Sequence, residues 1–101
     1  MTTARVIRYT TKPDRADENE GLILDVFAEL ATTNPEGLRY TALRLDDGVS
    51  FVHVAVLDGE HNALFESPAF AKFQAGIADR LESGPETAVG SVVGAYGPPL
   101  A

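Results

Sequence analysis

Val49-Ser50-Phe51-Val52-His53-Val54-Ala55-Val56-Leu57 is the stretch that decides the fold. Successive side chains of a strand point to opposite faces, so a run that is apolar on both alternations has to be covered on both sides. A second run, Ala88 to Tyr96, is also small or apolar on both alternations. The chain has material for about two helices, enough for one face of a sheet. The other face requires a second copy of the chain. The sequence therefore predicts a homodimer whose sheets pack together.

Outward from that run, the preceding Asp46-Asp47-Gly48 is a hairpin signal, since Gly tolerates the positive φ of a tight turn. The strand before it is Leu38 to Leu45. Arg5 to Thr11 is rich in β-formers and reads as the first strand, ending at Lys12-Pro13. Asp14 is the predicted N-cap of a helix running to about Thr32, with Asp17 as its acidic partner. Leu22, Ile23, Val26, Phe27 and Leu30 form its buried stripe. Asn34-Pro35-Glu36-Gly37 stops it. Asp58 to Asn62 is a polar loop. Ser67-Pro68 opens a second helix that buries Phe70, Phe73, Ile77 and Leu81 and ends near Ser83-Gly84-Pro85. The last strand runs from about Thr87 to Tyr96, and Gly97-Pro98-Pro99 ends the fold. The order is β-α-β-β-α-β, a ferredoxin-like α+β layout with an antiparallel four-stranded sheet and two helices on one face. Nothing in residues 1–101 reads as a linker or repeat, so one domain is expected.

Composition narrows the function classes. Hydrophobic residues make up 45% and charged residues 23%, which is ordinary globular composition. The net charge of −7, from 15 acidic and 8 basic residues, repels phosphate backbones and anionic lipid, so no nucleic-acid or membrane partner is expected. No stretch approaches the ~20 apolar residues of a membrane-spanning helix. With no Cys, thiolate catalysis and Cys-ligated metals are excluded. The N-terminal residues carry no export signal, and a cytoplasmic location is the expectation.

A two-residue Asp47-Gly48 turn pairs Arg44 with Phe51, Leu43 with Val52, Ala42 with His53, Thr41 with Val54 and Tyr40 with Ala55, and directly paired residues share a face. Leu43, Leu45, Val52, Val54 and Val56 then form a plain hydrophobic face suited to the helices. Tyr40, Ala42, Arg44, Phe51, His53 and Ala55 form a mixed face, where aromatic walls, polar handles and small side chains have the makeup of a small-molecule pocket. They also have the makeup of a dimer core with a few satisfied polar groups.

Arg5-Val6-Ile7-Arg8-Tyr9 leading to Lys12-Pro13, Gly37-Leu38-Arg39-Tyr40 at the second strand, and Ser67-Pro68-Ala69-Phe70-Ala71-Lys72-Phe73 at the second helix carry a likeness. On these residues the chain resembles the antibiotic-biosynthesis-monooxygenase-like families over nearly its whole length. The resemblance implies a dimeric α+β barrel. It also implies a range of activities, from cofactor-free oxygenation of aromatic polyketides to haem degradation, so fold does not settle function. Haem-degrading members use an Asn, a Trp and a His where this chain has about Val6, Leu64 and Gln74, so that activity is disfavoured. Of the Asn, Trp, Tyr and Arg set of the polyketide oxygenases, only Tyr and Arg can be supplied here.

His53 is the candidate base, because imidazole titrates near neutral pH; its plainer reading is a hydrogen-bonded residue at the dimer seam. Arg44 and Arg8 can hold a carboxylate or phenolate, or serve in salt bridges. Tyr9, Tyr40 and Tyr96 can stack on an aromatic ligand and Phe51 offers a flat wall, or these rings simply fill core. His61 lies in the polar loop, and its spacing from His53 matches no metal motif, so no metal is expected. Two functions compete. One is a cofactor-free monooxygenase acting on a small aromatic compound, with His53 and Arg44 catalytic and Tyr40, Phe51 and Arg8 binding substrate. The other is a non-catalytic homodimer that binds a small ligand or serves as an assembly module.

Overall fold

A computed structural model describes residues 2–59 and 62–97; His61 and the Pro98-Pro99 stop lie outside the described residues. β1 (Thr2–Thr11) leads through a 3₁₀ turn (Pro13–Arg15) into α1 (Ala16–Thr33). β2 (Leu38–Arg44) and β3 (Ser50–Asp58) form the hairpin. A 3₁₀ turn (Ala63–Glu66), α2 (Pro68–Ala75), α3 (Ile77–Arg80) and β4 (Leu81–Gly90) follow. The four strands lie in the order β2-β3-β1-β4, every neighbouring pair antiparallel. This is the expected β-α-β-β-α-β arrangement.

Local chemistry explains most element ends. Asn34 stops α1 in the left-handed conformation at φ 44, its N–H donating to the Leu30 carbonyl at 2.7 Å. The Ser67 hydroxyl accepts the Phe70 N–H at 3.1 Å and Pro68 occupies the first helical turn. Two expectations are corrected. Asp14 does not cap α1: the ring of Pro13 takes the chain into a helical turn directly after Lys12, so Asp14 is already inside it. The second helix ends well before Ser83-Gly84-Pro85. It breaks at Gly76, the Arg80 carbonyl accepts the Lys12 N–H at 2.8 Å, and Leu81 starts the last strand opposite Thr11. Gly84, at φ +95 and packed against the Tyr9 backbone, carries that strand through an irregularity in its pairing. β4 thus ends at Gly90, and residues 91–96 lie beyond it, with Val93 and Tyr96 fully exposed.

The β2–β3 register is the predicted one, Arg44 opposite Phe51 through Tyr40 opposite Ala55. The connection is a β-turn closed by the Gly48 N–H on the Leu45 carbonyl at 2.9 Å, with Gly48 at φ +79, and the Leu45 N–H donates to the Ser50 carbonyl at 2.8 Å. The loop between the Leu45–Ser50 pair is thus four residues, 46–49, in place of a two-residue turn between Asp46 and Val49, and the difference of two preserves the parity.

The face assignment is corrected. The helices cover the mixed face: Phe51, His53, Ala55 and Leu57 are buried there, and Tyr9, Ile23, Val26, Phe70 and Phe73 join the same core. The Leu43/Val52/Val54/Val56 face is the open one. Leu43 is 45% exposed and Val6, on the same side of β1, is 39% exposed. Large aromatic side chains fill the gap between sheet and helices, a space that the smaller valines of the other face would leave underpacked.

Candidate functional site

The β register builds a polar chain inside the core. His53 on β3 stands opposite Ile7 on one side and Ala42 on the other. Tyr9 and Tyr40 are therefore its diagonal neighbours on β1 and β2, within reach of long side chains on the same face. Tyr9 Oη lies 2.8 Å from His53 Nε2, and Tyr40 Oη lies 2.5 Å from His53 Nδ1. From α1, Asn19 Nδ2 donates to Tyr9 Oη at 2.8 Å. From the end of α3, Arg80 Nε donates to Asn19 Oδ1 at 3.0 Å and Nη2 donates to the Phe73 carbonyl at 2.7 Å. The Arg80 guanidinium also sits 5.2 Å from the Phe73 ring centre. The sequence Tyr40–His53–Tyr9–Asn19–Arg80 crosses the core from β2 to α3.

Burial sets the protonation states. It pushes the His53 pKa down from 6.5 to about 4, so the imidazole is neutral at pH 7. It raises Tyr9 from 10 to about 12, against the smaller opposing effects of the Asn19 hydrogen bond and the Arg80 charge. Tyr40 is raised as well, chiefly by burial. Both phenols are protonated at pH 7.

A cavity of about 220 Å³ opens beside this chain, between the sheet, the α2–α3 segment and the 3₁₀ turn before α2. Its walls are mainly apolar, with Ile7, Leu64, Phe70, Phe73 and Ile77 among them, and Tyr9, Tyr40 and His53 form its polar end. Roughly 150 Å³ suffices for a bare benzene ring. The cavity has room for one ring with substituents. Arg5 is its only charged lining residue among the described ones. A second hollow of about 390 Å³ lies on the other side of Tyr40, walled by Phe27, Leu24, Phe51 and Arg44, and it contains neither His53 nor Tyr9.

Of the residues singled out from sequence, Tyr40 and His53 come together at the cavity. The free basic nitrogen expected of His53 is not there: both ring nitrogens are engaged by phenols, Tyr9 at Nε2 and Tyr40 at Nδ1. Phe51 is buried, stacked on Tyr9 at 5.6 Å between ring centres, and lines the neighbouring hollow. Arg44 lies over Phe51 and is held by Asp17 and Glu20 at 3.1 and 3.2 Å, with Nε donating to the Gly48 carbonyl. Arg8 points to the open face, opposite Glu86 and Val52, and lines neither space. Tyr9, a stacking or core candidate from its sequence, also comes to the cavity beside His53, whereas Asn19 and Arg80 do not stand out among the candidate site residues. A signal for both existed: Asn19 lies four before Ile23 on the α1 stripe, and Arg80 lies seven after Phe73. A polar residue at a buried helical position needs a partner.

Among the described residues no group of three or more His, Asp or Glu side chains gathers as a metal site, and no helix is long and apolar enough to cross a membrane.

No family model and no curated protein matches the chain. Solved structures do. Rv0793 from Mycobacterium tuberculosis superposes with a TM-score of 0.74 at 19% identity, over 96% of this chain and 100% of that one. A provisionally named antibiotic biosynthesis monooxygenase from Nitrosomonas europaea gives 0.76 at 14% identity, over 95% and 94%. SnoaB from Streptomyces nogalater, a cofactor-independent oxygenase, gives 0.67 at 22% identity, over 93% and 95%. The chain has the fold of the antibiotic-biosynthesis-monooxygenase-like proteins.

Proposed function

We propose that this protein is a cofactor-free monooxygenase acting on a small, electron-rich aromatic compound, and that it works as a homodimer. The observation that carries the reading is the phenol–imidazole–phenol chain at the polar end of an otherwise apolar cavity of one-ring size. A ring docked there meets apolar walls along its body and hydroxyl chemistry at one end. The fold shared with SnoaB, a cofactor-independent oxygenase, supports the same reading. For a hydroquinone, the balanced reaction with O₂ gives a hydroxyquinone and water. One oxygen atom enters the ring, the other leaves as water, and the ring itself supplies the electrons.

The open sheet face supports the dimer. Val6, Leu43 and the half-buried Val52, Val54 and Val56 form a contiguous apolar layer across β1, β3 and β2. Covering such a layer gains about 25 cal/mol per Å². A second copy is the self-complementary solution.

Oxygen uptake with a panel of substituted hydroquinones and catechols tests the activity. Wild-type protein is expected to consume oxygen and to place one isotope-labelled atom in the product. Tyr40→Phe and His53→Phe are expected to slow it at least tenfold, because each removes or misdirects a hydrogen bond to the docked ring, and one to a charged group is worth about 1.5–3 kcal/mol. No uptake above autoxidation across the panel defeats the proposal. One observation favours a second reading, a ligand-binding dimer without turnover: His53 offers no free nitrogen to a substrate. Thermal stabilisation by aromatics without oxygen uptake would select it.

A further inference from the structure

Only one hydrogen-bond direction pairs every donor in the deeply buried part of the chain, and Arg80 sets it. A guanidinium has donors only. Because Arg80 Nε contacts the Asn19 side chain, Asn19 must turn its oxygen to Arg80 and its NH₂ to Tyr9. Tyr9 Oη therefore accepts from Asn19. Its own proton has one other polar neighbour, His53 Nε2, and must go there, since an orphaned proton at this buried site costs free energy. The neutral imidazole then carries its hydrogen on Nδ1 and donates to Tyr40 Oη. The proton of Tyr40 is left over. It has no acceptor among the described residues, and Tyr40 is half-buried at the cavity wall. In the opposite direction Tyr9 would accept twice and its hydrogen would have no partner.

Arg80 also brings a charge. It is buried, and no carboxylate among the described residues lies within ion-pair distance of it. Every dipole in the chain points its positive end from Arg80 toward Tyr40.

We propose that Arg80 is a positioning residue that fixes this direction and presents the Tyr40 hydroxyl to the cavity as a donor, so that the aromatic ligand is held there as an oxygen anion: an ionised phenol, enol or quinol. This rests on the reading of the cavity as an aromatic site. It makes His53 a relay of orientation, not the group that removes the proton. An ionised ring is also the form that gives electrons to O₂ most readily. Arg5 at the cavity wall is the other cation that an anion would meet.

The test is binding of two probes, 4-nitrophenol and 4-nitroanisole. Their electron-poor rings are not oxidised, so binding is read apart from turnover, and only the phenolate has a strong visible band. Wild-type protein is expected to show that band at pH values where free nitrophenol is still largely neutral. It is also expected to bind the phenol about 10- to 100-fold more tightly than the anisole, as charge-assisted hydrogen bonds do. Asn19→Asp keeps the side chain's size and still accepts from Arg80, but cannot donate to Tyr9. Tyr9 then donates to the new carboxylate, the His53 tautomer reverses, and Tyr40 donates inward. This variant, like Arg80→Met, is expected to lose the anion preference while nitroanisole binding stays within about twofold. Equal binding of both probes to wild type, a bound phenol without the visible band, or an unchanged preference in Asn19→Asp overturns the inference. Binding of neither probe overturns the aromatic-site reading along with it. Anion preference without oxygen uptake from any hydroquinone defeats only the turnover reading.

Discussion

Replacing His53 with Phe removes the titrating group from the core and keeps an aromatic ring of similar shape against Phe73, whose ring centre is 5.6 Å away. At pH 7 the loss falls on Tyr9. Its proton no longer has Nε2 as acceptor, and leaving a buried donor unsatisfied costs about 1–3 kcal/mol. Tyr40 is half-buried and can turn to water. His53→Phe is therefore expected to be about 1–3 kcal/mol less stable than wild type at neutral pH.

Acid reverses the comparison. The His53 pKa falls from 6.5 unfolded to about 4 folded, ~2.5 powers of ten in proton affinity, or about 3 kcal/mol at ~1.36 kcal/mol per power. Between those values the unfolded chain binds the extra proton, so stability rises with pH. The contribution is fully present above pH 6.5 and is lost as the pH falls through 4. Urea unfolding of both proteins at pH 7, 5.5 and 4, at one protein concentration, gives the difference directly. Carboxylates held low by their partners, Glu18 beside Arg15 and Asp47 bound to Ser50, weaken both proteins alike and cancel. The wild-type advantage is expected to shrink by about 3 kcal/mol from pH 7 to 4 and to vanish or change sign. A gap that stays constant over that range refutes a neutral, desolvated His53.

Gly84→Ala places a Cβ 3.0 Å from Tyr9 Cα and Cβ at a backbone φ of +95, so a loss of about 1–3 kcal/mol is expected in thermal unfolding. An unchanged midpoint would show that β4 bends around the methyl group. Ser67→Ala removes the α2 N-cap and should cost about 1 kcal/mol in urea titration. Val54→Asp puts a carboxylate on the open sheet face. Sedimentation is expected to find a folded protein, by circular dichroism, that no longer dimerises, and a dimer of wild-type affinity would rule that face out as the interface.

The sequence by itself determined the element order, the β2–β3 register, the α1 stripe, the Asn34 and Ser67 caps, and the excess of apolar sheet over helix. Each of these depends on residues close in sequence: alternation, a turn of known parity, or a cap three or four positions from its partner. Tertiary structure alone decided which sheet face the helices cover, because both alternations of residues 49–57 are apolar and local pattern carries no preference. Side-chain size settles it, with the rings of Tyr9, Tyr40, Phe51 and His53 filling the gap beneath the helices. The buried chain was illegible for the same reason. Tyr9 meets His53 across 44 positions and Asn19 meets Arg80 across 61, so their partnership exists only once the sheet and helices have closed on one another.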